Sequence, residues 1–250
     1  MQGVILDISG VLIVDGAALP GAVAAVARLR AAGLALRFAT NTSRKPRAGV
    51  LRELRDAGIE AREEEIFTAP RAARQYLNDR ALRPLRVIHP ELEVDFKDLP
   101  DGEENAVLVA DAGESFGYAI LNRAFRLLID GAPLVATGVN RYFRDRDGLS
   151  LDAGPFVRAL EYASGQRAVV TGKPAVTFFE SLLKDMGTAA GQTVMLGDDV
   201  DSDVAGAIEA GLDGILVQTG KYREGDEQHA PGARLCADVG VAVEALLAGD

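Results

Sequence analysis

Short apolar runs alternate along this chain with longer segments of helical period, and several of the runs stop abruptly at a polar or glycine-rich tail. Residues 4–8, Val-Ile-Leu-Asp-Ile, predict a strand that carries an acid, Asp7, near its end and meets a glycine turn at once. Pro20 opens a stretch rich in Ala, Leu and Arg that predicts a helix to Ala32, with Gly33 as its stop. Residues 34–39 predict a second strand closing on Thr40-Asn41-Thr42-Ser43, and residues 46–57 and 69–80 predict helices. Such strand–helix alternation implies βαβ units and a parallel sheet.

The middle of the chain has a different texture. Strands are predicted at 85–89, 106–110 and 134–137 with a helix near 116–129, and turn-rich pieces at 98–104 and 144–148 separate them. From Val169 the first texture returns: a short strand before Gly172-Lys173-Pro174, a helix at 175–186 and a strand at 193–196 closing on Gly197-Asp198-Asp199. A helix to Ala210 and a strand at 214–217 follow. The pattern predicts an α/β protein with a doubly wound parallel-sheet core. That core is discontinuous, 1–76 plus 172–250, with an α/β module inserted at 77–171.

Composition narrows the function classes. The chain has 250 residues, 48% hydrophobic and 26% charged, which is globular and argues against disorder. A formal net charge of -10 disfavours a nucleic-acid partner, although Arg37, Arg44, Lys45 and Arg47 could form a local basic patch. The single cysteine, Cys236, rules out an internal disulfide and suits a cytoplasmic location. No apolar stretch is long enough to span a bilayer, so no membrane partner is expected. With two histidines and one cysteine, any metal should be a hard cation held by oxygen.

Four strand ends carry the candidate chemistry: Asp7-Ile-Ser-Gly, Thr40-Asn41, Gly172-Lys173-Pro174 and Gly197-Asp198-Asp199-Val-Asp-Ser-Asp203. A parallel sheet gathers such ends on one edge. Asp7, Asp198 and Asp203 would place three carboxylates around one point, and Mg²⁺ relieves their repulsion. Lys173 adds a compact cation, and Thr40 and Asn41 add a hydroxyl and an amide beside a helix N-terminus. That set suits a phosphoryl group, with Asp7 as the nucleophile that forms an aspartyl-phosphate.

These segments, in this order and spacing, resemble the four motifs of the haloacid dehalogenase superfamily, and the insert resembles its C2-type cap. Asp-Ile-Ser-Gly-Val-Leu, Gly-Asp-Asp-Val-Asp-Ser-Asp-Val and Val-Gln-Thr-Gly-Lys-Tyr are similar to the branch of phospholysine phosphohistidine inorganic pyrophosphate phosphatases. The resemblance implies an Mg²⁺-dependent phosphatase with Asp7 as nucleophile and metal ligand. By it, Ser9 would ligate Mg²⁺ through its backbone carbonyl, Thr40 and Asn41 would hold the phosphate, and Lys173 would bridge nucleophile and phosphoryl oxygens. Asp198 would bind the metal directly and Asp203 would orient it. The resemblance also implies a cap that closes over the site, a small phosphorylated molecule or phospho-side chain as substrate, and a homodimer formed through the cap.

Ser9 departs from the family pattern, which has an acid/base aspartate there. General acid–base help is typically worth about 10²–10⁴-fold, so alkyl phosphates should turn over poorly. Phosphoramidates, aryl phosphates and pyrophosphate, whose leaving groups need less help, should suffer less. Asp15, on the following turn, is a minor alternative acid. A weakly catalytic or non-catalytic phosphate-binding switch is the competing reading.

The remaining signals are weaker. Gly172-Lys173 lacks the glycine and the Ser/Thr of a P-loop, and Asp199–Asp203 lacks the glycine and late glutamate of an EF-hand. A phosphonatase would need a cap lysine, and the insert offers Lys97 in an acidic segment. Asp152, with Asn140, is the candidate for specificity. Arg141, Arg144, His89 and His229 read as ordinary surface or buried residues.

Overall fold

The computed structural model describes residues 1–145 and 148–249, with only the backbone of Arg144 and Asp145. The side chain of Arg144 and the tip of the 144–148 turn lie outside the described residues. In chain order the elements are β1 (Gly3–Asp7), β2 (Ile13–Val14), β3 (Ala17–Ala18), α1 (Ala22–Ala31), β4 (Ala35–Thr40), α2 (Arg47–Asp56), β5 (Ile66–Thr68) and α3 (Ala69–Asp79). Next come β6 (Pro84–Val87), β7 (Ala106–Val109), α4 (Tyr118–Ile129), β8 (Leu134–Ala136), β9 (Tyr142–Asp145), β10 (Gly148–Leu151) and α5 (Ala153–Ser164). The chain ends with β11 (Val169–Val170), α6 (Val176–Met186), β12 (Thr193–Gly197), α7 (Gly206–Glu209), β13 (Asp213–Val217), β14 (Arg234–Cys236) and α8 (Val239–Ala248).

Two compact units divide the chain. Residues 1–40, 47–67 and 173–250 form the first, and residues 41–46 and 68–172 form the second.

The first unit is built on a six-stranded sheet in the order β14-β13-β12-β1-β4-β5, and the pairs from β14 through β4 are parallel. All five residues of β1 are buried, which is why this strand is a nearly continuous apolar run. Alternation sends Val4, Leu6, Leu36, Phe38, Val194, Leu196, Ile215 and Val217 to one face, where they pack with Val26 and Leu29 of α1, Leu54 of α2 and Val243 of α8. Leu216 points to the other face and meets Val200 and Val204. Phe178 of α6 stands edge-on to Phe67 at 5.3 Å. The chain runs outward from β1 through β4 and β5, then continues on the opposite side of β1 with β12, β13 and β14. The order of strands therefore reverses at β1, and such a reversal opens a crevice at the carboxyl ends of the strands.

The second unit has its own parallel sheet, β11-β8-β7-β6. Leu85, Val87, Val107, Val109, Leu134 and Ala136 face Leu128 of α4 and Val157 of α5. Leu108 and Val135 face Ala73 and Leu77 of α3. Three of the basic residues between 37 and 47 are paired with carboxylates: Arg37 with Asp185 at 2.7 Å, Arg44 with Asp111 at 2.9 Å and Arg47 with Glu63 at 2.7 Å. No helix among the described residues is long and apolar enough to cross a membrane.

Candidate active site

Register brings the predicted residues together. Asp7 ends β1 opposite Ala39 of β4, so Thr40 lies one step beyond it on the neighbouring strand. Leu6 is opposite Leu196 of β12, so Asp198 follows just past that strand on the other side. Asp203 sits on the helical turn Val200–Ala205 that leads into α7, and Lys173 follows β11. Asp7, Lys173, Asp198 and Asp203 are all buried.

Lys173 is the hub of this cluster. Its Nζ donates to Asp7 Oδ1 and lies 2.6 Å from Asp203 Oδ1. One carboxylate oxygen from each of Asp7, Asp198 and Asp203 lies within 4.8 Å of the others. Asp198 Oδ2 accepts the backbone N–H of Lys221 at 2.7 Å. Asp199 Oδ1 caps the helical turn by accepting from Ser202 N–H at 3.0 Å, and its Oδ2 lies 2.9 Å from Lys221 Nζ.

The electrostatics follow from burial. Burial pushes Asp198 up to about 6, with the nearby Asp203 charge adding to it. Burial also raises Asp7 and Asp203 against the pull of Lys173. Burial works against the ammonium of Lys173, yet Asp203 and Asp7 hold it above the ordinary lysine value. Three carboxylates around one ammonium leave two negative charges unbalanced in a buried place. Oxygen donors at this spacing, with that charge, fit a hard divalent cation such as Mg²⁺.

The other predicted residues lie as follows. Ser9 is exposed in the turn after β1, where it bridges to Ile13. Asn41 is partly buried, follows Thr40 directly and is grouped with the second unit. Asp15 and Gly16 form the tip of the β2–β3 hairpin at φ 51° and 79°, as a two-residue turn requires, and Asp15 points to solvent. In the second unit, Asp152 caps α5 by accepting from Ala153 N–H at 2.6 Å, and it hydrogen-bonds Asn140. Asp152 also lines a cavity of about 570 Å³ with Asn41, Arg44, Asp111 and Phe143. Lys97 is exposed after the turn Pro90–Phe96. His89 Nδ1 accepts from Glu91 N–H at 3.3 Å, His229 lies 3.7 Å from Asp201, and Cys236 is buried.

Thr219-Gly220-Lys221, part of the Val-Gln-Thr-Gly-Lys-Tyr string but given no role from sequence, contacts the cluster directly. Thr219 Oγ1 donates to the Gly10 carbonyl at 2.5 Å. The signal was present, since Val217 ends an apolar strand just before these residues.

Residues 4–98 match the model of the Haloacid dehalogenase-like hydrolase family, and residues 170–242 match that of HAD-hydrolase-like proteins. The chain is 46% identical over 227 residues to Haloacid dehalogenase-like hydrolase domain-containing protein 2 of Bos taurus, covering 91% of this chain and 88% of the relative. It is 43% identical over 235 residues to the human phospholysine phosphohistidine inorganic pyrophosphate phosphatase, covering 92% and 87%. Among solved structures, glycerol phosphate phosphatase from Mycobacterium tuberculosis in complex with magnesium superposes with a TM-score of 0.82 at 25% identity, covering 95% of this chain and 75% of that one. The chain belongs to the haloacid dehalogenase-like hydrolase family.

Proposed function

We propose that the protein is an Mg²⁺-dependent phosphatase that works through an aspartyl-phosphate on Asp7. The observation that carries the reading is the buried Asp7 carboxylate at a strand end, ion-paired to Lys173 within a three-carboxylate cluster. Asp7, Asp198, Asp203 and the Ser9 carbonyl would hold Mg²⁺, which when bound neutralises charge on the carboxylates and on the phosphoryl oxygens.

The chain's own groups do the rest. A carboxylate oxygen of Asp7 attacks phosphorus, and the bond to the leaving group breaks with its electron pair. Lys173 keeps Asp7 oriented and offsets the charge spreading over the phosphoryl oxygens, and Asp203 fixes the ammonium in turn. Thr40 and Asn41 supply hydrogen bonds to those oxygens. Water then attacks the aspartyl-phosphate, releasing phosphate and restoring the carboxylate. The insert at 77–171 acts as the cap, with Asp152 and Asn140 selecting the substrate.

The substrate class is a small phosphorylated molecule or phospho-side chain whose leaving group departs without a protein acid, because Ser9 offers none. Phosphoramidates and pyrophosphate meet that condition, and the human relative is named for two phosphoramidates, phospholysine and phosphohistidine, and for inorganic pyrophosphate.

Turnover of p-nitrophenyl phosphate tests the reading. It should require Mg²⁺ and vanish in Asp7→Asn, and borohydride should trap label on Asp7 during turnover. One observation favours a second reading, a phosphate-binding switch: the exposed Ser9 replaces the residue that would activate water. No turnover together with a stable acyl phosphate on Asp7 would select the switch.

A further inference from the structure

The Thr219–Lys221 segment closes on the first turn of the chain through contacts that span more than two hundred residues. Thr219 Oγ1 donates to the Gly10 carbonyl at 2.5 Å, and the Lys221 N–H donates to Asp198 Oδ2 at 2.7 Å. Gly10 and Gly220 both take left-handed backbone, at φ 84° and 59°. Between them lies the Asp198 carboxylate: a methyl group added to either glycine would overlap Oδ2, and one on Gly220 would sit 2.6 Å from the Gly10 Cα. Oδ2 is therefore flanked by two glycine backbones and accepts an N–H, so the less encumbered oxygen of Asp198 is Oδ1.

We propose that Thr219-Gly220-Lys221 is a positioning clamp that limits Asp198 to ligation through one oxygen and fixes the Ser9–Gly10 turn, and thereby sets the preference of the carboxylate site for Mg²⁺ over Ca²⁺. The proposal rests on reading Asp7, Asp198 and Asp203 as a metal site. Mg²⁺ demands near-octahedral geometry and takes carboxylates through single oxygens, whereas Ca²⁺ accepts more ligands and readily takes both oxygens of one carboxylate. A carboxylate locked with one oxygen occupied suits the first ion and penalises the second. Thr219 is a positioning residue here, because it acts on Asp198 and on the Ser9 carbonyl only through the backbone.

Calorimetric titration of Mg²⁺ and of Ca²⁺ into the full chain tests this, comparing parent, Thr219→Val and Thr219→Ser, each with far-UV circular dichroism. Loss of an outer-shell partner typically weakens metal binding by about 10–100-fold, so Thr219→Val should lose roughly tenfold or more in Mg²⁺ affinity. Its Ca²⁺ affinity should fall less, narrowing the ratio, and Thr219→Ser should restore the parent ratio because it keeps the hydroxyl. A folded Thr219→Val with both affinities within about twofold of the parent would overturn the clamp; if that variant does not fold, Thr219→Ala takes its place with the same criterion. A parent that binds no Mg²⁺ overturns the metal-site reading itself, and the clamp with it.

Discussion

Ser9 separates two halves of the proposed reaction. Attack by Asp7 needs only a charged carboxylate near phosphorus, and the ion pair with Lys173 is in place for that. Protonating a leaving alkoxide and activating water need a group that titrates near neutrality, which a serine hydroxyl does not. Ser9→Asp should therefore speed formation of the aspartyl-phosphate from an alkyl phosphate by about 10²–10⁴-fold and from a phosphoramidate little, while its hydrolysis, common to both substrates, gains equally. Equal gains on both substrates in the first step, read by rapid-quench release of the leaving group, would sink the leaving-group argument. Lys173 carries a different burden. Replacing it by Met leaves Asp7 and Asp203 buried without their cation, a loss of about 3–5 kcal/mol when one member of a buried pair is removed. Urea unfolding at pH 7 in EDTA should show that loss. At this scale much of the cluster was legible, because Asp7, Lys173 and Asp198 each follow an apolar strand. The strings that hold Gly10 and Thr219-Gly220-Lys221 were visible too, but their joint role was not, since Thr219 reaches Gly10 from 209 positions away.

The strands and helices first read from the sequence lie within a few residues of their observed positions, because apolar runs and caps mark them locally. Two helices gave no such signal. The stretch that becomes α5 starts Asp-Ala-Gly-Pro, which reads as a turn until Asp152 is recognised as its cap. The stretch that becomes α8 is apolar almost all round and contains Gly240, so it lacks the polar face that marks an amphipathic helix. Asp152→Ala should destabilise the protein by about 1 kcal/mol through the lost cap, while Asp152→Asn, which can still cap, should not. If Asp152 also selects substrate, Asp152→Asn changes KM without changing thermal stability. A second element-level prediction concerns Glu65, which accepts from Arg30 at 2.8 Å and from Arg62 at 2.6 Å and ties α1 to the approach to β5. Burial works to raise Glu65, but those two guanidinium groups bring it to about 2 from the ordinary 4.5. The unfolded chain binds this proton at higher pH than the folded one, so the contribution is complete above about 4.5 and fades as pH falls toward 2. It amounts to roughly 2–3 kcal/mol, and the stability gap between parent and Glu65→Gln in urea titrations should shrink by that order from pH 7 to pH 2.5.

For the whole molecule, the buried charge cluster predicts that folding and metal binding are linked. An ion that binds only the folded chain stabilises it by about 2.7 kcal/mol at one hundred times its dissociation constant. Millimolar Mg²⁺ should raise the melting temperature, EDTA should reverse the rise, and Asp198→Asn should abolish most of it. Differential scanning calorimetry with and without the ion gives the result directly. The division into two units has a consequence of another kind. The chain crosses between them four times, after residues 40, 46, 67 and 172. The hexapeptide 41–46 belongs with 68–172, and Arg44 within it pairs with Asp111. Recombination between two relatives that exchanged 68–172 alone would bring in Asp111 without its arginine and strand the old hexapeptide in a foreign setting. Shuffled genes in which both segments descend from one parent should survive a folding screen more often than those in which they do not, so two stretches separated by a whole helix are inherited as one module.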